Sequence, residues 1–301
     1  MSLADRRLCH TLTAEHGTDG RFGWQSAEKY PKVRIACITY TNAAALEIRD
    51  RCHIGNLYVS TIHDFLWDNI RQFQVELRKI LCEIVNDPNG KIQNPLSDDE
   101  EEFQLLDDIQ ITYKEYTRIL KGEISHDEVL IIAKKMFETY PKLCKIVCSK
   151  YPFIFVDEYQ DIDEKQYKLI KLLADKDANL CAIGDPNQAI YGFRGGDSKF
   201  FNNFSQDYPN VNIINLKNNY RCAKSIVEAS NQLIKSDNII ARNLSSKERI
   251  TIHTAPTDKA EAEFVVSTIE NLIGGNSFFS MDSQRADGQM ADFSFGDFAI
   301  L

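Results

Sequence analysis

An α/β fold built on a doubly wound parallel sheet is the class this sequence predicts, and three observations predict it. Short apolar, β-branched runs recur at residues 33–40 (VRIACITY), 57–60, 153–156 (FIFV), 180–183 and 211–216. Stretches of helix formers with apolar positions at helical spacing alternate with them. Polar clusters then fall where the apolar runs end: Thr39-Tyr40-Thr41-Asn42, Asp157-Glu158 and Gly184-Asp185. Runs apolar throughout suit strands covered on both faces, and strand–helix alternation makes those strands parallel. Ligands of such sheets bind beyond the C-terminal strand ends, so the three clusters are expected to form one composite site.

Taken in order, residues 33–40 read as a buried strand, and residues 42–52 as a helix that Asn42 is able to cap. A second strand at 57–60 leads into a helix over 61–73. From 73 to about 150 the pattern becomes amphipathic and helical, broken at Asn86-Asp87-Pro88-Asn89-Gly90. The strand 153–156, a helix over 163–173, the strands 180–183 and 211–216, and a helix over 223–234 complete the first set. After Ser245 a new unit is expected: a strand at 250–253, a helix at 259–272, a polar insertion over 274–296 and a strand at 297–301. The domain reading is therefore 1–72 with 150–245, a helical insertion at 73–149, and the beginning of a second domain at 246–301.

Composition narrows the function classes. With 43% hydrophobic and 26% charged residues, the chain has the balance of a globular protein with a sizeable core. No run approaches the ~18 apolar residues of a membrane span, and the first twelve residues, with no continuous apolar run, do not read as a signal peptide. Cysteines embedded in apolar runs, such as Cys37, Cys148 and Cys181, read as reduced thiols of a cytoplasmic protein. Cys144 and Cys148 lie one helical turn apart, with no second pair to make a zinc site. The net charge of −9 excludes a uniformly basic nucleic-acid binder but not a local DNA groove. Part of that charge sits in the acidic run 98–102, which reads as a solvated segment.

Residues 153–161 (FIFVDEYQD) carry the clearest chemistry. A buried strand that delivers two adjacent acids suits nucleotide hydrolysis. One carboxylate can hold Mg²⁺ and the next can activate the attacking water. The plainer reading is an acidic loop that caps the following helix through Asp161 or Asp163. Local spacing alone leaves both open.

Residues 156–161 (VDEYQD) resemble motif II of the UvrD/Rep/PcrA-like superfamily 1 DNA helicases. Residues 184–196 (GDPNQAIYGFRGG) resemble motif III, and 216–221 (LKNNYR) motif IV. Upstream, 39–48 (TYTNAAALEI) resemble motif Ia, and 60–65 (STIHDF) the next DNA-contact motif. Five segments in the family's order make a specific signal over roughly residues 33–72 and 130–301. The resemblance implies a RecA-like P-loop NTPase fold, a helical insertion and the start of a second RecA-like domain. It implies an ATP-dependent motor that moves along single-stranded DNA with 3′→5′ polarity and opens duplex at single-strand/double-strand junctions. By position, Asp157 would hold Mg²⁺, Glu158 would be the catalytic base and Gln188 would sense the γ-phosphate of ATP. Tyr220 would stack on the adenine, and Arg221 would stabilise the transition state. Thr39, Thr41, Asn42, Thr61 and His63 would bond the DNA backbone, while Tyr40, Tyr191 and Phe193 would stack on bases. Arg194 would contact DNA or bridge to the ATP site.

One departure stands out. No Gly-x-x-x-x-Gly-Lys-[Ser/Thr] occurs in the 301 residues, and Gly17, Gly20 and Gly23 lack the Lys-Thr. Either such a loop precedes this chain in a longer protein, with residues 3–14 as the helix that follows it, or the protein is a non-hydrolysing relative that binds DNA or a partner protein. The first reading is preferred, because a dead site needs none of Asp157, Glu158, Gln188 and Arg221. The motifs that bring a second arginine are also missing, which is expected of a chain that ends inside the second domain.

Overall fold

The computed structural model describes residues 34–52, 54–90, 92, 95, 102–176, 178–189, 196, 198–208, 211–234, 239–243, 250–273 and 294–300. The helix expected at 3–14, the glycines at 17–23, most of the acidic run 98–102 and nearly all of the insertion 274–296 lie outside these residues. The chain divides into two compact units, Met1–Leu216 and Lys217–Leu301. The division falls well before the change of character expected after Ser245.

The first unit is built on a four-stranded, wholly parallel sheet in the order β2-β1-β5-β6. Its strands are β1 (Ile35–Thr39), β2 (Leu57–Thr61), β5 (Phe153–Val156) and β6 (Asn179–Ala182). The fold is the expected α/β class, and the sheet fits a RecA-like helicase domain. Alternation within the strands explains the double winding. Ile35, Cys37, Val59 and Phe155 face one side, where helix α1 (Asn42–Arg51) supplies Ala45 and Ile48. Ala36, Ile38, Ile154 and Val156 face the other, larger core. That core is closed by α2 (Ile62–Ile70), α3 (Gln74–Val85), α4 (His126–Thr139), α5 (Pro141–Lys150) and α6 (Glu164–Ala174). Helix α4 alone buries Val129, Leu130, Ile132, Met136 and Phe137, each contributing about 1.5–3 kcal/mol.

The stretch after residue 73 therefore shares one core with the sheet rather than forming a core of its own. It also holds a two-residue parallel pair, β3 (Thr112–Tyr113) with β4 (Glu123–Ile124), which the helical pattern did not anticipate. Helix α3 stops where the breaker predicts: the Asn89 amide donates to Asp87 Oδ1 and the Gly90 amide to the Asp87 carbonyl. Cys144 and Cys148 have a structural role, their thiols donating to the carbonyls of Leu172 and Leu173 at the end of α6.

Helix starts correct one expectation. Thr41, not Asn42, caps α1, its hydroxyl accepting from the Ala44 amide, and Asn42 is the first helical residue. Helix α6 begins at an Asp163 capping box, with Gln166 reaching back to the Asp163 amide.

The second unit contains β7 (Asn218–Ala223), α9 (Lys224–Leu233) and β8 (Ile240–Asn243), a parallel pair joined by a helix, and a helix α10 (Asp258–Ile273). In the first unit, the short helices α7 (Lys199–Asn202) and α8 (Phe204–Asp207) follow β6. The strand expected at 211–216 is irregular and mostly exposed; the extended pairing occurs one step later, at β7. Apolar alternation makes a strand only where an edge exists to pair with, and among the described residues Ile240–Asn243 offers that edge to 218–223. Likewise residues 250–253 and 298–300 are not paired as strands.

Candidate active site and nucleic-acid interface

The chain passes from β1 outward to β2, then returns to the other side of β1 at β5. This reversal opens a crevice between the C-terminal ends of β1 and β5, where α/β sheets bind ligands. A cavity of about 620 Å³ occupies that place. Thr39, Tyr40, Thr41 and Asn42 reach it from the end of β1, and Thr61 and His63 from the end of β2 and the start of α2. All six expected DNA-contact residues of these two segments are thus brought together. Tyr191, Phe193 and Arg194 lie outside the described residues.

Several of the six already have structural partners. Thr61 caps α2: its hydroxyl donates to Asp64 Oδ2 (2.8 Å) and accepts from the Asp64 amide. Buried Thr39 donates to the Thr41 carbonyl (3.0 Å). The His63 ring stacks on His126, with centroids 4.7 Å apart. Burial, reinforced by the neighbouring His126, pulls the His63 pKa down to about 4. Around neutral pH, His63 is therefore an uncharged hydrogen-bonding ring, not a cation.

Further lining comes from residues 113–126, where the sequence carries no recognised motif. Tyr113, Lys114, Glu115 and His126 line it. The Tyr113 hydroxyl lies 2.6 Å from His126 Nδ1, and burial pushes its pKa up to about 12. Ser125 and Glu128 close a capping box that sets the start of α4 and hence the position of His126. No local spacing marks these residues; folding alone brings them to the cavity.

Asp157 also lines the cavity and is only 6% exposed. Its amide donates to the Ile38 carbonyl (2.8 Å), continuing the β1–β5 ladder one step beyond the strand. Glu158 then takes a left-handed conformation, φ 51° and ψ 42°. For a residue with a side chain this costs about 1–2 kcal/mol, and such strain gathers at functional sites. It turns the chain sharply, so that Asp157 and Glu158 leave the strand on different courses. Asp163 takes the capping role, which separates that role from the Asp157-Glu158 pair.

Gln188 sits in a short 3-10 turn, Pro186–Gln188, beyond β6. Its side-chain amide donates to Asp185 Oδ2 (2.7 Å), while Asp185 Oδ1 accepts from the Asn187 amide (3.0 Å). Tyr220 and Arg221 belong to the second unit, where they lie within β7 rather than after a strand. Both are exposed. Asn219 Oδ1 accepts from the amides of Arg221 and Cys222 at an irregularity in the β7–β8 register, which fixes the backbone that presents them.

A parallel α/β sheet with a switch-point crevice, paired acids at a central strand end and a Gln-bearing turn on the next strand fit the RecA-like class of helicase domains. The UvrD/REP helicase N-terminal domain family matches residues 68–209, and the UvrD-like helicase C-terminal domain family matches residues 214–285. An ATP-dependent DNA helicase PcrA of Staphylococcus aureus (strain Mu50 / ATCC 700699) is 35% identical over 283 residues, covering 78% of this chain and 39% of that protein. The protein of the same name from Staphylococcus epidermidis (strain ATCC 12228 / FDA PCI 1200) is 30% identical with the same coverage. The chain belongs to the UvrD-like superfamily 1 helicases, and it spans 39% of the length of these relatives.

Proposed function

We propose that this chain is part of an ATP-dependent DNA helicase that moves along single-stranded DNA and opens duplex at single-strand/double-strand junctions. The observation that carries this reading is the Asp157-Glu158 pair at the C-terminal end of β5, beside the crevice that holds the DNA-contact segments. Family membership supports ATP as the nucleotide. The donor chemistry of Asp157 fits Mg²⁺, which takes one or two carboxylates together with nucleotide phosphates and water. Bound there, Mg²⁺ neutralises charge on the phosphate oxygens.

Glu158 accepts the proton of the attacking water as its oxygen bonds to the γ-phosphorus and the bond to the β–γ bridging oxygen breaks. Gln188 hydrogen-bonds the γ-phosphate, Tyr220 stacks on the adenine and Arg221 stabilises the charge that develops in transfer. Thr39, Thr41, Asn42, Thr61 and His63 position the DNA backbone, with His63 acting as a neutral donor. Tyr40, Tyr191 and Phe193 stack on bases at about 1–3 kcal/mol each, and Arg194 contacts the same strand or bridges to the ATP site. The setting we propose is the cytoplasm, on the cysteines embedded in apolar runs. No described helix is long and apolar enough to cross a membrane.

The test is DNA-stimulated ATP hydrolysis by the full-length protein and its Glu158→Gln variant. A loss of about 10²–10⁴-fold in kcat, with ATP and single-stranded DNA still bound, is expected. An unchanged rate would remove Glu158 from the chemistry. These 301 residues alone, lacking a Gly-x-x-x-x-Gly-Lys-[Ser/Thr] loop, are expected to turn over ATP poorly.

A further inference from the structure

Gln160 is 1% exposed, and its side chain is used at both ends. Its Nε2 donates to Glu158 Oε2 at 2.7 Å and lies 3.3 Å from Asp161 Oδ2. Its Oε1 accepts from the Asp185 amide at 3.1 Å. Two backbone bonds run alongside, from the Ile183 amide to the Val156 carbonyl (2.8 Å) and from the Tyr159 amide to the Ile183 carbonyl (2.9 Å). The Gln160 amide therefore extends the β5–β6 ladder beyond the strands, as a peptide group would. Asp185 in turn holds Gln188. One chain of hydrogen bonds connects Glu158, Gln160, Asp185 and Gln188.

Gly184 makes this possible. A Cβ there would sit 2.5 Å from Gln160 Oε1 and 3.0 Å from the Phe201 ring. With no side chain at this position, the Gln160 carbonyl reaches the Asp185 amide without being displaced.

We infer that Gln160 is a positioning residue that makes the orientation of the Glu158 carboxylate depend on the loop bearing Gln188. The inference rests on the roles proposed above for Glu158 and Gln188. A γ-phosphate that engages Gln188 shifts its bond to Asp185, and Gln160 carries that shift to Glu158. A buried amide suits the task, since it donates at one end and accepts at the other without charge.

The experiment compares Gln160→Glu, Gly184→Ala and Glu158→Gln in the full-length protein, by ATP hydrolysis across pH with and without single-stranded DNA and by thermal unfolding. Gln160→Glu keeps size and the acceptor for Asp185 but sets a second carboxylate against Glu158. It is expected to lower kcat by about tenfold or more, with KM for ATP within about threefold. It should also move the acidic limb of the pH–rate profile upward, since a like charge disfavours the ionised base. A simple packing role would leave that limb in place. Gly184→Ala retains Gln160 but displaces its carbonyl end, and is expected to lower DNA-stimulated kcat by about three- to tenfold. A folded Gln160→Glu protein with wild-type kcat and an unmoved limb overturns the inference. So does a folded Gly184→Ala protein with unchanged kcat, which decides the matter if Gln160→Glu does not fold. If Glu158→Gln abolishes turnover in either case, the base assignment stands and Gln160 alone is wrong. Wild-type turnover by Glu158→Gln overturns both.

Discussion

The end of β5 and the strand β7 carry the two halves of the ATP chemistry proposed for this chain, and they are built in opposite ways. Strand β5 lies between β1 and β6, so the acids that follow it emerge from a ladder paired on both edges. Asp157 and Gln160 are buried, and Glu158 is held at a positive φ by its surroundings. Among the described residues, strand β7 pairs with β8 alone, and Tyr220 and Arg221 are exposed. The first arrangement fixes a group by enclosing it. The second holds the backbone through Asn219 and leaves both side chains accessible to a ligand. A base must be aimed before its water arrives, whereas a stacking ring and a guanidinium can be ordered by the nucleotide they grip.

Substitutions should separate the two kinds of construction, and the largest effect belongs to the exposed one. Arg221→Ala is expected to lower kcat by about 10³-fold while the urea midpoint stays within error of wild type. Its side chain is exposed, so little packing is lost. A destabilised Arg221→Ala protein would show that β7 is held as tightly as the β5 corner.

A smaller effect should appear at the cavity beside β5, where burial perturbs titration. His63 has its folded pKa depressed, to about 4 from an ordinary value near 6.5. His126, Asp64, Asp163 and Asp127 surround it, and burial outweighs the acids. Because the neutral ring is the buried form, its contribution is intact above about pH 6.5 and is lost as pH falls towards 4. A loss on the order of 1–2 kcal/mol across that window is expected, after allowance for partial exposure. Urea titrations at pH 7 and pH 5 on wild type and His63→Gln should show a smaller pH difference in the variant. An equal difference would mean that His63 does not titrate in this range.

The smallest effect expected is at Asp163, which caps α6 and receives the chain from the acid corner. Asp163→Ala should cost about 1 kcal/mol of stability, read from the urea midpoint. It should leave kcat within about twofold, because the cap holds the helix and not the acids. A large loss of turnover would extend the tightly held region beyond Asp161.

The centre of the sheet was legible because β1 and β5 are buried on both faces. Residues 153–156 can hardly be anything but a central strand, and the observed bounds follow the apolar run. The run at 211–216 looks similar, yet strand pairing moves to 218–223. Whether an apolar segment pairs depends on a partner edge that no local pattern reports. The cap at Thr41 instead of Asn42 is a finer case: both residue types can cap, and the position of the helix against β1 and β2 decides between them.

By itself, the sequence determined the α/β class, the strands of the central sheet, the acids at the end of β5 and the family to which the chain belongs. Each of these is written in contiguous residues: an apolar run, a turn, an acid pair, a motif. The tertiary structure alone decided that Tyr113 and His126 join Thr61 and His63 in lining one cavity. It alone placed Gln160 against Asp185, with Gly184 leaving the room to do so. Those contacts join segments distant in the chain, and they exist only once the core has closed and brought the segments within hydrogen-bonding distance.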